Sequence, residues 1–125
     1  MATIKNYRDL EVWKLSMDFV ESVYKALKTF PAEERYGLCD QIRRAAVSIP
    51  SNIAEGFGRD SNKDFAHFLS IARGSLFEIS TQLEIASRLG YLKPNSGLYP
   101  QVESIGKMLN ALRRRLKTSP QPTTN

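Results

Sequence analysis

The side chains of this chain that are best suited to binding or catalysis are two adjacent arginines, Arg43 and Arg44, and two carboxylates, Glu55 and Glu78. Guanidinium and carboxylate groups form strong ion pairs, and a guanidinium also binds phosphate. Because consecutive helical residues point about 100° apart, only one of the two arginines can lie fully against the core. Arg44 shares a helical line with Glu55. We therefore expect Arg44 to form a structural ion pair with Glu78 or Glu55 that fixes the register of two helices; the alternative is an anion or RNA site.

Catalysis would need more groups than these. Glu55 and Glu78 could act as paired carboxylates, but no nucleophile or metal ligand accompanies them. The chain has one histidine, His67, and one cysteine, Cys39, too few for a zinc site. Asp40 follows Cys39 and would raise the pKa of the thiol, which disfavours a reactive thiolate. We expect no catalytic residue, metal, cofactor or small-molecule substrate, and hence no enzyme.

Net charge is concentrated at one end of the chain. The sequence has 18 basic and 13 acidic residues, and no acidic residue follows Glu103. The net charge of +5 therefore equals the number of cations in the final stretch, which are Lys107, Arg113, Arg114, Arg115 and Lys117. They predict a nucleic-acid-binding end. The alternative is that they only offset the dipole in the last turns of a helix.

The spacing of apolar residues along the chain predicts four helices. The first predicted helix has Asp9 as its N-cap and continues to about Phe30. The second begins near Pro31 and ends at Gly56 and Gly58; Pro50 inside it should cause a kink or a break, with Ser51 or Asn52 capping the downstream piece. Its apolar line is Leu38, Ile42, Ala45, Ile49 and Ile53.

The third predicted helix is the most regular. Ser61 should cap it, with Asp64 as the capping-box acid, and Gly90 should end it. Gly74 and Ser75 are small and should allow a close helix approach. The fourth helix follows a turn and runs from Leu98 to Leu116.

Long helices with short connections predict an all-α, antiparallel up-down four-helix bundle. The predicted organisation is an N-terminal arm (1–8), the bundle (9–117) and a disordered tail (118–125). No run approaches the roughly 20 apolar residues of a membrane span, and the N-terminus lacks an apolar secretory core, so we expect a cytoplasmic protein without a membrane role.

Three segments carry a family resemblance: Tyr7 to Trp13, Gln41 to Gly56 (QIRRAAVSIPSNIAEG) and Ala72 to Glu78. Together they resemble the 23S ribosomal RNA intervening-sequence proteins, also called the four-helix bundle protein family. The resemblance implies a helical bundle that assembles into rings of five and supplies no catalytic residues. The accessory variability proteins of diversity-generating retroelements are distantly similar, and they are basic pentamers that bind nucleic acid and a reverse transcriptase.

Aromatic residues also indicate self-association. The chain has more large aromatic side chains than one narrow bundle seam requires, namely Trp13, Phe19, Phe57 and Phe77. A monomer that exposed them would carry an adhesive apolar patch. We expect a non-enzymatic homo-oligomer, a pentamer by resemblance, that binds RNA, DNA or a ribonucleoprotein through the basic ends of its fourth helices. The alternative function is a protein–protein interaction scaffold with no nucleic-acid role.

Overall fold

The computed structural model describes residues 4–118, and within this range the chain forms helices and no strand. The four α-helices are α1 (Glu11–Leu27), α2 (Leu38–Phe57), α3 (Asn62–Arg88) and α4 (Leu98–Thr118). Two short 3-10 helices, Tyr7–Asp9 and Ala32–Glu34, precede α1 and α2. The all-α fold class is therefore confirmed.

Each α-helix packs against two others. α1 contacts α2 and α4, and α3 also contacts α2 and α4, which is consistent with the predicted bundle. The start of α1 at Leu10 and Val12 lines a groove together with Leu112 and Arg115 from the end of α4. The largest side chains in the core that are fully buried include Phe19, Ile42, Ile49, Ile53, Leu69, Ile79, Leu83, Ile105 and Leu109. These residues follow the apolar stripes of the sequence.

The starts of α1 and α2 differ from the predicted ones. Asp9 belongs to the first 3-10 helix, and Leu10 is the N-cap of α1 without any side-chain hydrogen bond. α2 begins at Leu38, seven residues after Pro31, because residues 32–34 form a 3-10 helix and Gly37 has a non-helical backbone. The Leu38 amide donates to Glu34 Oε1 at 3.4 Å, so a side chain from the preceding turn satisfies one of the free amides at the start of α2.

α2 is one continuous helix across Pro50, which excludes the predicted break. Pro50 lacks the amide that would donate to the carbonyl of Ala46. The two residues that follow it do not cap a second helix. Ser51 Oγ donates back to the Val47 carbonyl at 2.8 Å, and Asn52 Nδ2 donates to the Ser48 carbonyl at 2.8 Å. Both bonds lie within the same helix, one and two residues after the backbone bond that the proline lacks.

The caps of α3 are those that its sequence predicts. Ser61 is extended and its Oγ accepts the Asp64 amide at 3.1 Å. At the other end, the Gly90 amide donates to the Ser87 carbonyl and the Tyr91 amide to the Ala86 carbonyl. This pair of bonds is a Schellman motif, which needs a left-handed residue after the helix. Gly90 has a φ of +82° and fills that position.

α2 and α3 approach closely at Gly56. A Cβ on this residue would lie 2.7 Å from Phe68 Cβ and 3.0 Å from Phe65 Cδ1. Farther along the pair, Ser48 and Ser75 share a hydrogen bond of 2.8 Å between their hydroxyls. The predicted close approach at Gly74 is wrong, since a Cβ there would meet nothing within 4 Å.

Of the predicted domain boundaries, residues 1–3 of the arm and residues 119–125 of the tail lie outside the described residues. Thr118, which the predicted tail includes, is the last residue of α4. Within residues 4–118, no helix is both long enough and apolar enough to cross a membrane.

Candidate nucleic-acid interface

The five cations near the end of α4 do not form a single cluster. Helical residues are offset by about 100°, so three consecutive arginines point in three directions. Lys107, Arg114 and Lys117 are spaced by seven and three residues, which places them on one side of the helix. All three are exposed. They form the outward basic face of α4.

Arg113 lies on another side of α4. It follows Gly106 by two helical turns, and a Cβ at Gly106 would lie 3.4 Å from Leu76 of α3. Arg113 is half-buried, its Nη1 donates to Asn110 Oδ1 at 3.5 Å, and its Nε is buried without a hydrogen-bond partner among the described residues. Arg113 therefore contributes to packing through its aliphatic stem and to charge through its guanidinium.

Arg115 points toward the start of α1. It lines the groove that also contains Asp9, Glu11 and Leu10. Two carboxylates on the wall of the same groove offset its charge locally, so Arg115 contributes less to a positive surface than its position in the sequence indicates. Lys107 also has an acidic neighbour, with Nζ 3.5 Å from Glu103 Oε1. Both groups of this pair are exposed, and such pairs are weak.

The predicted ion pair between Arg44 and Glu78 or Glu55 is replaced by local pairs. Arg44 Nε lies 3.2 Å from Asp40 Oδ2, one turn earlier in α2, and its side chain is 80% exposed. Glu55 Oε2 accepts from Arg59 Nη2 at 2.9 Å. Glu78 is exposed on α3 and makes no ion pair with Arg44 within residues 4–118. A pair one turn apart immobilises less of the side chains than a pair across two helices, which favours the local partner.

The polar contact between α2 and α3 is instead made by small side chains. Ser48 Oγ bonds Ser75 Oγ and also accepts Asn52 Nδ2 at 2.9 Å. Ser75 is buried, and Gln82 on the same helix is buried with its Oε1 unpaired. Ser48 follows Arg44 by about one turn of α2, but the sequence does not show that a hydroxyl on α3 lies opposite it.

Two groups with potential reactivity are in unreactive settings. Burial raises the pKa of the Cys39 thiol; Arg43 lowers that pKa and Glu34 raises it further. The pKa is raised, as the sequence predicts, but the cause is burial together with Glu34 rather than the neighbouring Asp40. His67 is exposed, with its ring edge-on to Phe68. Among residues 4–118, no three histidine, cysteine or acidic side chains are arranged to hold a metal ion.

The four aromatic residues proposed for self-association differ in exposure. Phe19 is fully buried in the bundle core. Trp13 is half-buried and meets the ring of Tyr7 at 5.2 Å, while Phe57 meets the ring of Phe65 at 6.0 Å. Only Phe77 of the four is exposed, at 56%. It lies on α3, where Ile71, Ile85 and Leu89 are also exposed, on the side of the helix turned away from the core. These four residues are here called the apolar face of α3; the guanidinium of Arg73 lies over the Phe77 ring, 4.6 Å from its centroid.

A second basic feature lies where α1 ends and α2 begins. Lys28, Arg35 and Arg43 line one concave pocket, here called the corner pocket, together with Tyr24 and Cys39. The sequence alone does not predict a site here, because the three cations are seven and eight residues apart and Glu33 and Glu34 lie between the first two. The signal available in the sequence was the helical phase of Arg43, which differs from that of Arg44 by about 100°.

The fold and these features define a small all-α protein with four helices, a basic end and no metal-binding cluster in its described part. Comparison with known families extends this description. The sequence model of the 23S rRNA-intervening sequence protein family matches residues 8–111, so the chain belongs to that family. No match was found among curated proteins.

A solved structure supports the same assignment. It is the crystal structure of a protein of unknown function from the S23 ribosomal protein family of Bacteroides thetaiotaomicron VPI-5482. The two chains are 27% identical and superpose with a TM-score of 0.61, over 86% of this chain and 92% of the other. The expected family and helical fold are therefore confirmed.

Proposed function

We propose that the chain is a cytoplasmic, non-enzymatic protein that assembles with copies of itself and binds nucleic acid through the basic ends of its α4 helices. The observation that supports binding is the outward basic face, where Lys107, Arg114 and Lys117 are all exposed on one side of a helix. Lys107 of this face forms an exposed pair with Glu103, and such pairs are weak, so the pair offsets little of the charge of Lys107.

Electrostatic contact with phosphates gives affinity without sequence preference. Three cations on one helix face provide only a weak site in a single subunit. A ring multiplies the site, and five copies of the three-cation face would present about 15 positive charges. Ring assembly is what the family resemblance implies, and it would convert a weak patch into a multivalent surface.

The test compares two variants with the same change in charge. The first replaces Lys107, Arg114 and Lys117 by Gln. The control replaces two other lysines and one other arginine on exposed positions elsewhere, which are Lys14, Lys63 and Arg88. Fluorescence anisotropy with duplex DNA and single-stranded RNA is measured at about 50 and 200 mM salt.

If all three cations contact phosphates of duplex DNA, the first variant should lose about 2.7 from the slope of log affinity against log salt, at about 0.9 per phosphate. The control variant should keep the wild-type slope. Equal weakening by both variants would show a non-specific effect of net charge, and no binding by the wild type at the lower salt concentration would overturn the proposal.

Self-association is supported by the apolar face of α3. Phe77 is 56% and Leu89 54% exposed, in a helix whose other side already packs in the core. Exposed apolar side chains along one face of a helix are typical of interfaces. Light scattering should give a mass that is a multiple of 14.1 kDa, and Phe77→Lys should lower it. A wild-type monomer at high protein concentration would refute the assembly.

The same apolar face also supports the second candidate, a protein–protein scaffold without a nucleic-acid role. The two candidates differ in which surface matters, since Phe77 is on α3 and the outward basic face is on α4. A defined protein partner whose capture resists nuclease treatment and is lost in Phe77→Lys, but not after neutralisation of the α4 cations, would favour the scaffold.

A further inference from the structure

The corner pocket has the size and shape of a small-ligand site. It encloses about 610 Å³ between the end of α1, the 3-10 helix at Ala32–Glu34 and the first turns of α2. Ligand pockets commonly enclose about 300 to 1,000 Å³. Its walls combine apolar groups, such as Leu27 and Phe30, with three cations.

The polar lining of this pocket is one-sided in charge. Lys28, Arg35 and Arg43 line it, and no carboxylate does so among the described residues. Within residues 4–118, none of the three forms an ion pair, whereas Arg44, Arg59 and Arg88 each have one. Uncompensated cations repel one another in a concave site, so the arrangement favours an anionic ligand that lies between them.

The nearest acidic group is already engaged elsewhere. Glu34 Oε2 accepts the Tyr91 hydroxyl at 2.9 Å, and its Oε1 accepts the Leu38 amide at 3.4 Å. Both carboxylate oxygens are therefore directed to structural donors, and within residues 4–118 Glu34 forms no ion pair with Arg35 or Arg43. Its negative charge still acts at Cys39, which lines the pocket, but one carboxylate does not balance three cations.

Arg43 is the best-positioned of the three cations. It is half-buried, and its Nη2 donates to the Arg35 carbonyl at 3.0 Å. This hydrogen bond holds the guanidinium beside the pocket, and it uses one of the five N–H donors. A fixed guanidinium suits phosphate, which accepts two parallel N–H bonds. Tyr24, 46% exposed at the same pocket, offers an aromatic face beside the cations.

We infer that the corner pocket binds the phosphate of a nucleotide, with Arg43 and Arg35 on the phosphate and the base packed on Tyr24. Stacking on an aromatic side chain tolerates any base, and three cations with one aromatic ring match a group that is anionic at one end and planar at the other. The nucleotide is either free or the terminal residue of a nucleic acid, and both present the same phosphate.

This inference does not depend on the proposed binding through α4. None of the five α4 cations lines the corner pocket. It also gives different roles to the adjacent arginines of the central motif: Arg43 faces the pocket, and Arg44 faces solvent with Asp40 as its partner. Arg44→Gln is therefore a matched control for Arg43→Gln, with the same change in charge one residue away.

The experiment is calorimetric titration of the full chain with adenosine monophosphate, adenosine, inorganic phosphate and short oligonucleotides with and without a 5′-phosphate. Binding of the monophosphate should be tighter than binding of adenosine or phosphate alone. Arg43→Gln and Arg35→Gln should each weaken it by roughly tenfold or more, as expected for a charge-assisted hydrogen bond. Arg44→Gln should leave it unchanged. Tighter binding of the 5′-phosphorylated oligonucleotide than of the monophosphate would identify a nucleic-acid end as the ligand, and the reverse order a free nucleotide.

Two controls keep the result interpretable. Thermal unfolding of each variant checks that it is folded. If Arg43→Gln loses stability, Lys28→Gln tests the same pocket at an exposed position. Equal affinity for adenosine and its monophosphate would overturn the inference, as would equal weakening by Arg43→Gln and Arg44→Gln. Neutralisation of the α4 cations tests the proposed function and not this inference, because none of those cations lines the corner pocket.

Discussion

Substitution of Gly56 tests the close approach of α2 and α3. A Cβ at this position would lie 2.7 Å from Phe68 Cβ, 3.0 Å from Phe65 Cδ1 and 3.2 Å from the Phe65 carbonyl oxygen. Non-bonded carbons prefer about 3.5 to 4.0 Å. Phe68 Cβ is attached directly to the backbone of α3 and cannot rotate away, so Gly56→Ala must separate α2 from α3.

The expected loss of stability is the difference between two effects. Overpacking a core contact costs about 1 to 3 kcal/mol. Alanine is favoured over glycine in a helix interior by up to about 1 kcal/mol, and less at Gly56, which is one residue before the last residue of α2. The net destabilisation should be about 1 to 2 kcal/mol. At about 4 °C per kcal/mol for a chain of this length, Gly56→Ala should lower the Tm by about 4 to 8 °C.

Gly74 provides the matched control. It lies in the middle of α3, and a Cβ there would meet nothing within 4 Å. Gly74→Ala should gain helix propensity without any steric cost, and its stability should rise by about 0.5 to 1 kcal/mol. The same substitution should therefore have opposite signs at two helical positions. Gly58→Ala, where the nearest atom to the new Cβ is 3.6 Å away, controls for proximity to the helix end.

Thermal and urea unfolding followed by circular dichroism would measure these differences at one fixed protein concentration, since self-association changes apparent stability. A Gly56→Ala variant as stable as the wild type would refute the close approach of α2 and α3. Destabilisation of similar size in Gly74→Ala would refute the attribution to packing, because the backbone effect alone would then account for both.

Two further predictions concern ionisable groups. Burial raises the pKa of the Cys39 thiol, so iodoacetamide should modify the native chain at pH 8 more slowly than the urea-unfolded chain; equal rates would contradict the burial. The hydrogen bond from Tyr91 to Glu34 raises the pKa of Tyr91 above its ordinary value of 10.0. Because the folded pKa is the higher one, this bond stabilises the fold fully below pH 10 and is lost as the pH rises through the folded pKa. Tyrosinate absorbance of the folded chain should show a late component from Tyr91, and Tyr91→Phe should remove that component.

The apolar spacing of the sequence predicted the four helices because burial of one stripe determines the period of each. The ends were predicted where the capping group is local, as at Ser61 and Gly90. They were not predicted where it comes from a separate turn, as when Glu34 accepts the first amide of α2. The continuity at Pro50 was also unpredictable, since it depends on packing around the proline rather than on its local cost.

The sequence does not determine a single ion-pair partner for Arg44. Its helical line contained Glu55, and a neighbouring helix offered Glu78, but Asp40 lies one turn earlier and reaches Arg44 Nε at 3.2 Å. Long charged side chains at the surface take the partner that costs least conformational entropy. The hydroxyl of a serine has a short reach, so its partner is determined by the atoms that the backbone places beside it. Contacts such as Ser48 with Ser75 therefore report helix register more directly than arginines do.

The distribution of charge on α4 has a consequence for the proposed function. Three consecutive arginines increase the net charge of a segment, but a helix directs them to three sides, and here one side is packed toward α3 and another faces Asp9 and Glu11. A single subunit thus offers three exposed cations on one helix face. Such a face is too small to hold a nucleic acid at physiological salt by itself, since affinity falls steeply with salt for every phosphate contact. Binding through α4 therefore requires that neighbouring copies place their faces side by side, so the apolar face of α3 and the outward basic face of α4 belong to one proposal: the first assembles the surface that the second makes positive.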